Sequence, residues 1–250
     1  MTTAEADATG PSNGTPNGTP AGAANGAPNG STAGSSTLWQ SAADAVRRAI
    51  VSGDLQDGAR VSEASLAETL GVSRAPVRDA IRVLVREGLL RQGAWATTVV
   101  GCSAEDIRRL FDLRAYLEAY AVKLAAVGID AAAREGLRAA ADQMAAAASR
   151  DDTNAYTGWD LAFHRALVRA ARDRWLLSAW ENMAPVIAAT LDLGAHPSSR
   201  SPQGIAAGHR DVLQFVLEGD ALSAEATLRR HLRGAVDHLL RRFPAADSPP

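Results

Sequence analysis

Four residues in the C-terminal half have the types and spacing of a metal site. Asp160 and His164 stand four apart, so on a helix their side chains share one face, about 5–6 Å apart at Cβ. His209 and His231 belong to consecutive helical segments joined at Gly219-Asp220, and residue 220 is their midpoint. Folding an antiparallel helix pair at that point brings the two imidazoles level. Each histidine sits on an apolar stripe: His164 with Leu167, Val168 and Ala171, His209 with Ile205, Val212, Leu213 and Val216, His231 with Leu228, Leu232, Ala235 and Leu239. Buried polar groups need partners. One buried histidine is usually a satisfied core residue, whereas three with a carboxylate, all facing one core, point to a site. Neutral imidazoles and a carboxylate suit a borderline divalent ion, Zn²⁺, Ni²⁺ or Mn²⁺. A six-coordinate ion would leave two positions for water or an oxygen-rich ligand. His196, beside Pro197, reads as loop, and His238 as a helix surface or end residue.

Arg114 is the second chemical feature. It interrupts an inward stripe made by Ile107, Leu110, Phe111, Leu117, Ala121 and Leu124, and a buried guanidinium needs an anion. Two readings are open: an intrahelical pair with Glu118, four residues on, or a clamp for a ligand carboxylate.

The third feature is a row of arginines. Arg74, Arg78, Arg82 and Arg86 recur every four residues, forming one helical stripe that drifts about 40° per step. It lies away from the apolar Val77, Ile81 and Leu84. Between Arg74 and Arg91 five arginines face only Asp79 and Glu87, a local +3 in a chain of net charge −2. Guanidinium forks fit phosphates and the O6/N7 edge of guanine. Arg74 and Arg78, near the helix start, are placed for base edges, Arg82 and Arg86 for phosphates. The competing reading is a solvated face paired to Asp79 and Glu87.

These groups need elements to hold them. Apolar periodicity begins at Leu38 and continues through Trp39, Ala42, Ala43, Val46 and Ile50 to a stop at Gly53-Asp54. Ser62 is placed to cap a short helix with Leu66, Ala67 and Leu70 inward. Gly71-Val72-Ser73 makes a tight turn, and Ser73 is expected to cap the helix Arg74–Glu87, whose first turn tolerates Pro76. Two β-prone stretches follow, 89–91 and 97–100. Helix, short helix, glycine turn, helix and hairpin in this order predict a winged helix-turn-helix. From Ser103 onward six helices are expected, at about 103–127, 130–149, 153–171, 174–193, 202–218 and 220–242, forming an all-α bundle. The fold is therefore expected to be mainly α, in two domains: 37–101, the winged helix-turn-helix, and 102–243, the all-α bundle, to which the resemblance described below adds effector binding and dimerisation. Residues 1–36, rich in Gly, Pro, Ala, Asn, Ser and Thr, have nothing to bury and are expected to be disordered, as is the tail 244–250.

Composition agrees. The 250 residues are 46% apolar and 22% charged, enough for two ordinary cores. No apolar run reaches about 18 residues, and the first residues lack a basic n-region and an apolar h-region, so neither a membrane span nor a secretory signal is expected. The single cysteine, Cys102, excludes an intrachain disulfide framework and a multi-cysteine metal ribbon. The 25 arginines against one lysine, Lys123, are attributed to GC-rich coding.

Residues 60–88 resemble the GntR family of bacterial transcription regulators, most specifically in Leu70-Gly-Val-Ser-Arg-Ala-Pro-Val-Arg78. The resemblance implies DNA contacts by Arg74, Arg78 and Arg82, with Ser73 and Arg86 alongside and a wing contact through Gly93. The wing departs from the family's Arg-Gly or Gly-rich tip, since Trp95-Ala96 stand there. Asp160-Leu-Ala-Phe-His164, His209-Arg210 and Arg230-His231-Leu232 resemble the FCD ligand-binding domain of the FadR subfamily, and six C-terminal helices are similar to its VanR-type group. Leu113-Arg114-Ala-Tyr-Leu-Glu118 is similar to the FCD helix whose arginine faces the pocket. Gly208 stands where the family often has Glu. The resemblance implies a cytoplasmic homodimer that binds double-stranded operator DNA, responds to a small organic acid through its metal and Arg114, and acts as a repressor rather than an enzyme. Two other readings stay open: a metalloenzyme fused to a DNA-binding module, and a regulator whose signal is the metal itself. The first lacks an evident general base or nucleophile–base pair.

Overall fold

The computed structural model describes residues 32–194 and 202–241. The tails' outer residues 1–31 and 242–250, and with them most of the expected disordered segments, lie outside the described residues, as does His196. Helix α1 spans Thr32–Val51, so it opens five residues inside the segment expected to be disordered. It buries Ala42, Ala43, Val46 and Ile50, the positions at helical spacing.

The N-terminal domain continues with β1 (Arg60–Val61), α2 (Glu63–Leu70), α3 (Arg74–Arg86), β2 (Leu90–Gln92) and β3 (Thr97–Val99). Ser62 caps α2 by accepting from the Ser65 amide. Gly71 ends α2 with φ +65°, a left-handed conformation that glycine adopts without a Cβ clash, and this swings the chain into α3. The hairpin expected at 89–91 and 97–100 is present one residue displaced, and it gains a third strand. The sheet order is β1-β3-β2, all antiparallel, with Arg60 and Arg91 both opposite Thr98 and Leu90 opposite Val99. Leu90 and Val99 point inward to a core with Val46, Ile50, Val61, Leu66, Val77, Ile81 and Leu84. Leu84 is fully buried, and truncating such a residue to Ala costs about 2–5 kcal/mol. Buried Arg47 of α1 donates from Nε and Nη2 to the two oxygens of Glu87, both at 2.8 Å, pinning the C-terminal end of α3 to α1.

The second domain is α4 (Ala104–Val127), α5 (Ala131–Ser149), α6 (Thr153–Ala170), α7 (Arg174–Gly194), α8 (Pro202–Glu218) and α9 (Ala221–Leu240), the expected six helices within two residues. Caps set the starts: Ser103 and Asp106 form a capping box on α4, and Asp130, Asp152 and Asp220 accept from the third amide of α5, α6 and α9. The main core joins α4, α5, α6, α8 and α9 through Val122, Leu137, Met144, Phe163, Leu167, Val212 and Leu228. Helix α7 packs on α6 and α4 and also on α1, and its Val186 enters the core of the N-terminal domain. Pro185 sits inside α7, where it removes one helical hydrogen bond. No helix among the described residues is long and apolar enough to cross a membrane.

Candidate nucleic-acid interface and candidate metal centre

Helix α3 buries Val77, Ala80, Ile81 and Leu84 and turns Arg74, Arg78, Arg82 and Arg86 outward. Arg82 pairs with Asp79 at 3.1 Å and Arg78 lies 3.8 Å from Glu63, both in exposed surroundings. Such pairs contribute about 0–1 kcal/mol, so a phosphate can displace them. Glu87, offered above as a partner of the arginine face, is instead held by Arg47. Among the described residues Arg74 and Arg86 have no ion-pair partner. Ser73 occupies the N-cap of α3 with extended backbone, but its hydroxyl makes no capping hydrogen bond. This corrects the expected cap: the turn after Gly71 positions Ser73 without its side chain. Gly93 is exposed in the hairpin, and its amide donates to the Ala96 carbonyl at 2.9 Å. That amide therefore closes the turn, and the side-chain group at the wing tip is Trp95.

The four candidate ligands come together. Asp160 and His164 project from one face of α6, His209 from α8 and His231 from α9, and one donor atom from each lies within 4.8 Å of the others. His209 Nε2 is 3.0 Å from Asp160 Oδ1 and 3.2 Å from His164 Nε2. The His209 and His231 ring centres are 4.2 Å apart, so the helix pair turning at Asp220 does bring them level. His164 and His209 are fully buried and Asp160 nearly so.

Around this group the bundle supplies a second layer. His164 Nδ1 donates to Glu118 Oε2 at 2.6 Å, which leaves Nε2 with its lone pair toward the cluster. Glu118 Oε1 accepts from Arg114 Nε and from the Trp180 indole N–H, each at 2.8 Å. Burial works to raise the Glu118 carboxyl, but Arg114 and His164 beside it hold it at about 2. Asp160 is likewise pushed up by burial, then held well below the carboxylate range by the His209 hydrogen bond and the charges nearby. Burial first, and Arg114 second, lower His164. Burial and then the neighbouring histidines lower His231 well below its ordinary value. Near neutral pH the cluster therefore holds an anionic carboxylate and neutral His164 and His231, the protonation states that metal ligation requires.

The donor set fits a divalent cation. Adjacent ligand atoms about 2.1 Å from one ion lie about 3 Å apart, as His164, His209 and Asp160 do. A carboxylate orienting a ligating imidazole is the usual outer support of such sites. Gly208 contributes by what it lacks: a Cβ there would sit 3.1 Å from His231 Nδ1, so the bare backbone leaves room for the ring.

The structure shows the intrahelical pair of Arg114: its Nε donates to Glu118 within α4. Its Nη2 is buried without a hydrogen-bond partner among the described residues, 3.8 Å from Asp160 Oδ2. One edge of the fork is held within the helix and the other faces the Asp160–histidine cluster. The sequence pointed to the four residues that the structure brings together and to Arg114 beside them, but Glu118 was weighed only as a partner for Arg114, and Trp180 was missed. The signal for Glu118 was its place on the buried stripe of α4. For Trp180 no spacing in the sequence points across to α4. His238 lies at the end of α9 against Arg241, away from the cluster.

Comparison with known proteins follows the same division. The FCD domain matches residues 109–234, and the family described as bacterial regulatory proteins, gntR family, matches residues 38–95. A Paenarthrobacter nicotinovorans protein named "Probable D-xylose utilization operon transcriptional repressor" is 33% identical over 199 residues, 79% of this chain and 86% of that one. The gluconate operon transcriptional repressor of Bacillus subtilis is 28% identical over 143 residues, and the match spans only 58% of its length and 57% of this chain. Among solved structures, E. coli McbR/YncC superposes with a TM-score of 0.65 at 20% identity, covering 82% of this chain and 98% of that one. A putative transcriptional regulator GntR from Rhodococcus sp. RHA1 gives 0.58 at 22% identity, covering 83% and 100%. These two show a shared fold.

Proposed function

Since the chain belongs to the GntR family of bacterial regulatory proteins and carries an FCD domain, we propose that it is a dimeric transcription regulator. In this reading its affinity for operator DNA is set by a small carboxylated metabolite bound beside a divalent metal ion. The α3 arginines contact the duplex, Arg74 and Arg78 at base edges, Arg82 and Arg86 at phosphates, with the free Ser73 hydroxyl at the helix start. Asp160, His164, His209 and His231 hold the ion, of which Zn²⁺, Ni²⁺ and Mn²⁺ all suit the donor set. The bound ion supplies a Lewis-acidic oxygen site. Arg114 directs its free edge at a carboxylate, and Glu118 keeps both Arg114 and His164 in place. Such a regulator works beside the chromosome, in the cytoplasm, and the relatives named as repressors favour repression that the metabolite relieves.

The observation that carries this reading is the buried Arg114 Nη2, which has no hydrogen-bond partner among the described residues and only a 3.8 Å ion pair with Asp160 beside the cluster. A buried donor that makes no hydrogen bond is costly unless an acceptor arrives, and an anion is what a guanidinium edge binds best. It favours an organic acid over the metal alone as signal. The dimer is supported by α4, which exposes Leu113, Tyr116, Tyr120 and Val127 in one stripe of helical spacing, and we assign the copy–copy contact to that stripe. The test is calorimetry of 2-hydroxy, 2-keto, dicarboxylic and sugar acids into metal-loaded protein. At least one class should bind with about one molecule per subunit, and Arg114→Leu should lose that binding. Heat from none of them, or equal binding by Arg114→Leu, contradicts the reading.

A further inference from the structure

Helices α4 and α9 pack against each other in opposite directions, with Lys123 of α4 paired to Glu225 of α9 at 2.6 Å. Toward the start of α4 they part into a cleft of about 210 Å³. Its floor is apolar: Phe111 and Ala115 come from α4, Leu232 and Val236 from α9. Phe111, Leu232 and Val236 are buried, so core packing holds the floor in place. The volume lies below the about 300–1,000 Å³ of sites for drug-sized molecules, which leaves room for a small metabolite.

The walls carry opposite charges. Arg229 of α9 lies over the ring of Tyr116 of α4, 5.0 Å from its centre, and its Nε donates to Glu225 at 2.9 Å. That guanidinium is already engaged. One helical turn before Tyr116 stands Asp112, and one turn after Arg229 stands Arg233, so the antiparallel run sets these two on facing walls of the cleft. Both are exposed. They line one cleft without pairing to each other, and among the described residues neither side chain has a hydrogen-bond or ion-pair partner. A plain anion entering here meets the Asp112 carboxylate, and a plain cation meets two guanidinium groups. A small molecule that carries both charges satisfies both walls.

We propose that the α4–α9 cleft is a second small-molecule site, separate from the Asp160–histidine cluster, and that its ligand is an α-amino acid with an apolar side chain. The ligand carboxylate lies on the Arg233 fork, which takes a carboxylate through two parallel hydrogen bonds. The ligand ammonium lies on Asp112. The side chain covers the floor made by Phe111, Ala115, Leu232 and Val236 and displaces water from it. Phe111 joins this site to the rest of the molecule: the Arg114 guanidinium lies over its ring, 5.5 Å from the centre, and it packs in one core with Ile187 of α7. A ligand on the cleft floor therefore bears on Arg114 and α7 without touching the cluster.

The test is calorimetry of L-leucine, L-valine and L-phenylalanine into the full-length protein, beside isocaproate, which is leucine without its ammonium, and isoamylamine, which is leucine without its carboxylate. At least one of the amino acids should bind, and if it is leucine each analogue should bind at least about ten-fold more weakly, the factor that one hydrogen bond to a charged group contributes. Valine and phenylalanine are compared with their own deaminated and decarboxylated analogues in the same way. Arg233→Gln and Asp112→Asn should each cost the same factor. Neither change removes a side-chain hydrogen bond or ion pair among the described residues, so the melting temperature without ligand should match wild type. Binding should persist after chelation, because no residue of the cleft belongs to the cluster. The proposal is overturned if none of the three amino acids gives heat, if the analogues bind as well as the parent, or if both variants bind like wild type. Binding lost on chelation overturns it as well, because the amino acid is then held by the metal. So does a change confined to the dimerisation constant in either variant, because the cleft, whose Tyr116 belongs to the exposed stripe of α4, is then a contact between copies.

Discussion

Glu118 accepts from three donors on three helices: Arg114 on its own helix α4, His164 on α6 and Trp180 on α7. Its charge is what fixes the His164 tautomer and neutralises Arg114. Glu118→Gln cannot accept from all three, because one end of the amide presents donors. Removing one partner of a buried ion pair costs about 3–5 kcal/mol, and losing the outer partner of a metal ligand costs about 10–100-fold in metal affinity. Both a lower melting temperature and weaker metal binding are expected of Glu118→Gln, measured by calorimetric melting and competition with a chelator. Normal stability with normal affinity would show that the triple contact is idle. The histidines give a pH signature. His164 and His231 have folded values depressed below 6.5. Their contribution to stability is therefore fully present above that value and is lost as pH falls below it toward the folded values. Metal release has the same sign, since protons compete for the imidazoles. The melting temperature of metal-free protein should fall on going from pH 7 to pH 5, and a flat profile would contradict neutral buried rings.

At the scale of elements, α3 and α7 carry the separate duties. Arg78→Ala should weaken binding to a selected duplex by about 1–3 kcal/mol and relax base preference, as loss of a base contact does. Arg86→Ala should weaken all sequences alike and lower the salt slope by about one. A salt titration of both variants on selected and random duplexes tells these patterns apart, and a swapped result would reverse the assigned roles. Helix α7 touches both domains: Trp180 donates to Glu118, and Val186, beyond Pro185, packs in the core of the N-terminal domain. It is the element placed to pass a change at the cluster to α1 and α3. Trp180→Phe keeps the ring but removes the donor. It should leave operator binding without effector nearly unchanged while shrinking the change that effector produces, as seen by anisotropy titrations with and without the acid. An undiminished response would place the coupling elsewhere.

Much of this was legible in the residues, for physical reasons. The bundle helices have long apolar periodicity, and α4, α5, α6 and α9 open on a capping residue, so all six emerged within two residues. The grouping of Asp160, His164, His209 and His231 emerged because helical spacing and a hairpin midpoint are one-dimensional facts. Strand β1 did not, since two residues acquire strand structure only by pairing with β3, some 37 positions away. The Ser73 cap was expected from residue type, but the side chain is not engaged. Glu118 as partner of His164, and Trp180 as partner of Glu118, depend on how α4, α6 and α7 pack, and no local pattern records that.

At the scale of the whole molecule, the exposed cationic face of α3 and the buried Asp160–histidine cluster are joined through α7, which packs on both domains, in a family of regulators. The proposed function amounts to a coupling free energy between these two sites. Coupling of this kind typically changes affinity 5–150-fold, and it has to vanish when either anchor of the effector is removed. The direct measurement is the dissociation constant of the selected duplex from metal-loaded protein, with and without each of the 2-hydroxy, 2-keto, dicarboxylic and sugar acids. It is repeated after chelation and with Arg114→Leu. At least one acid should shift the constant at least about five-fold in metal-loaded wild type, and the shift should disappear both after chelation and in the variant. A constant indifferent to every acid, or a shift that survives in chelated protein or in Arg114→Leu, would contradict it.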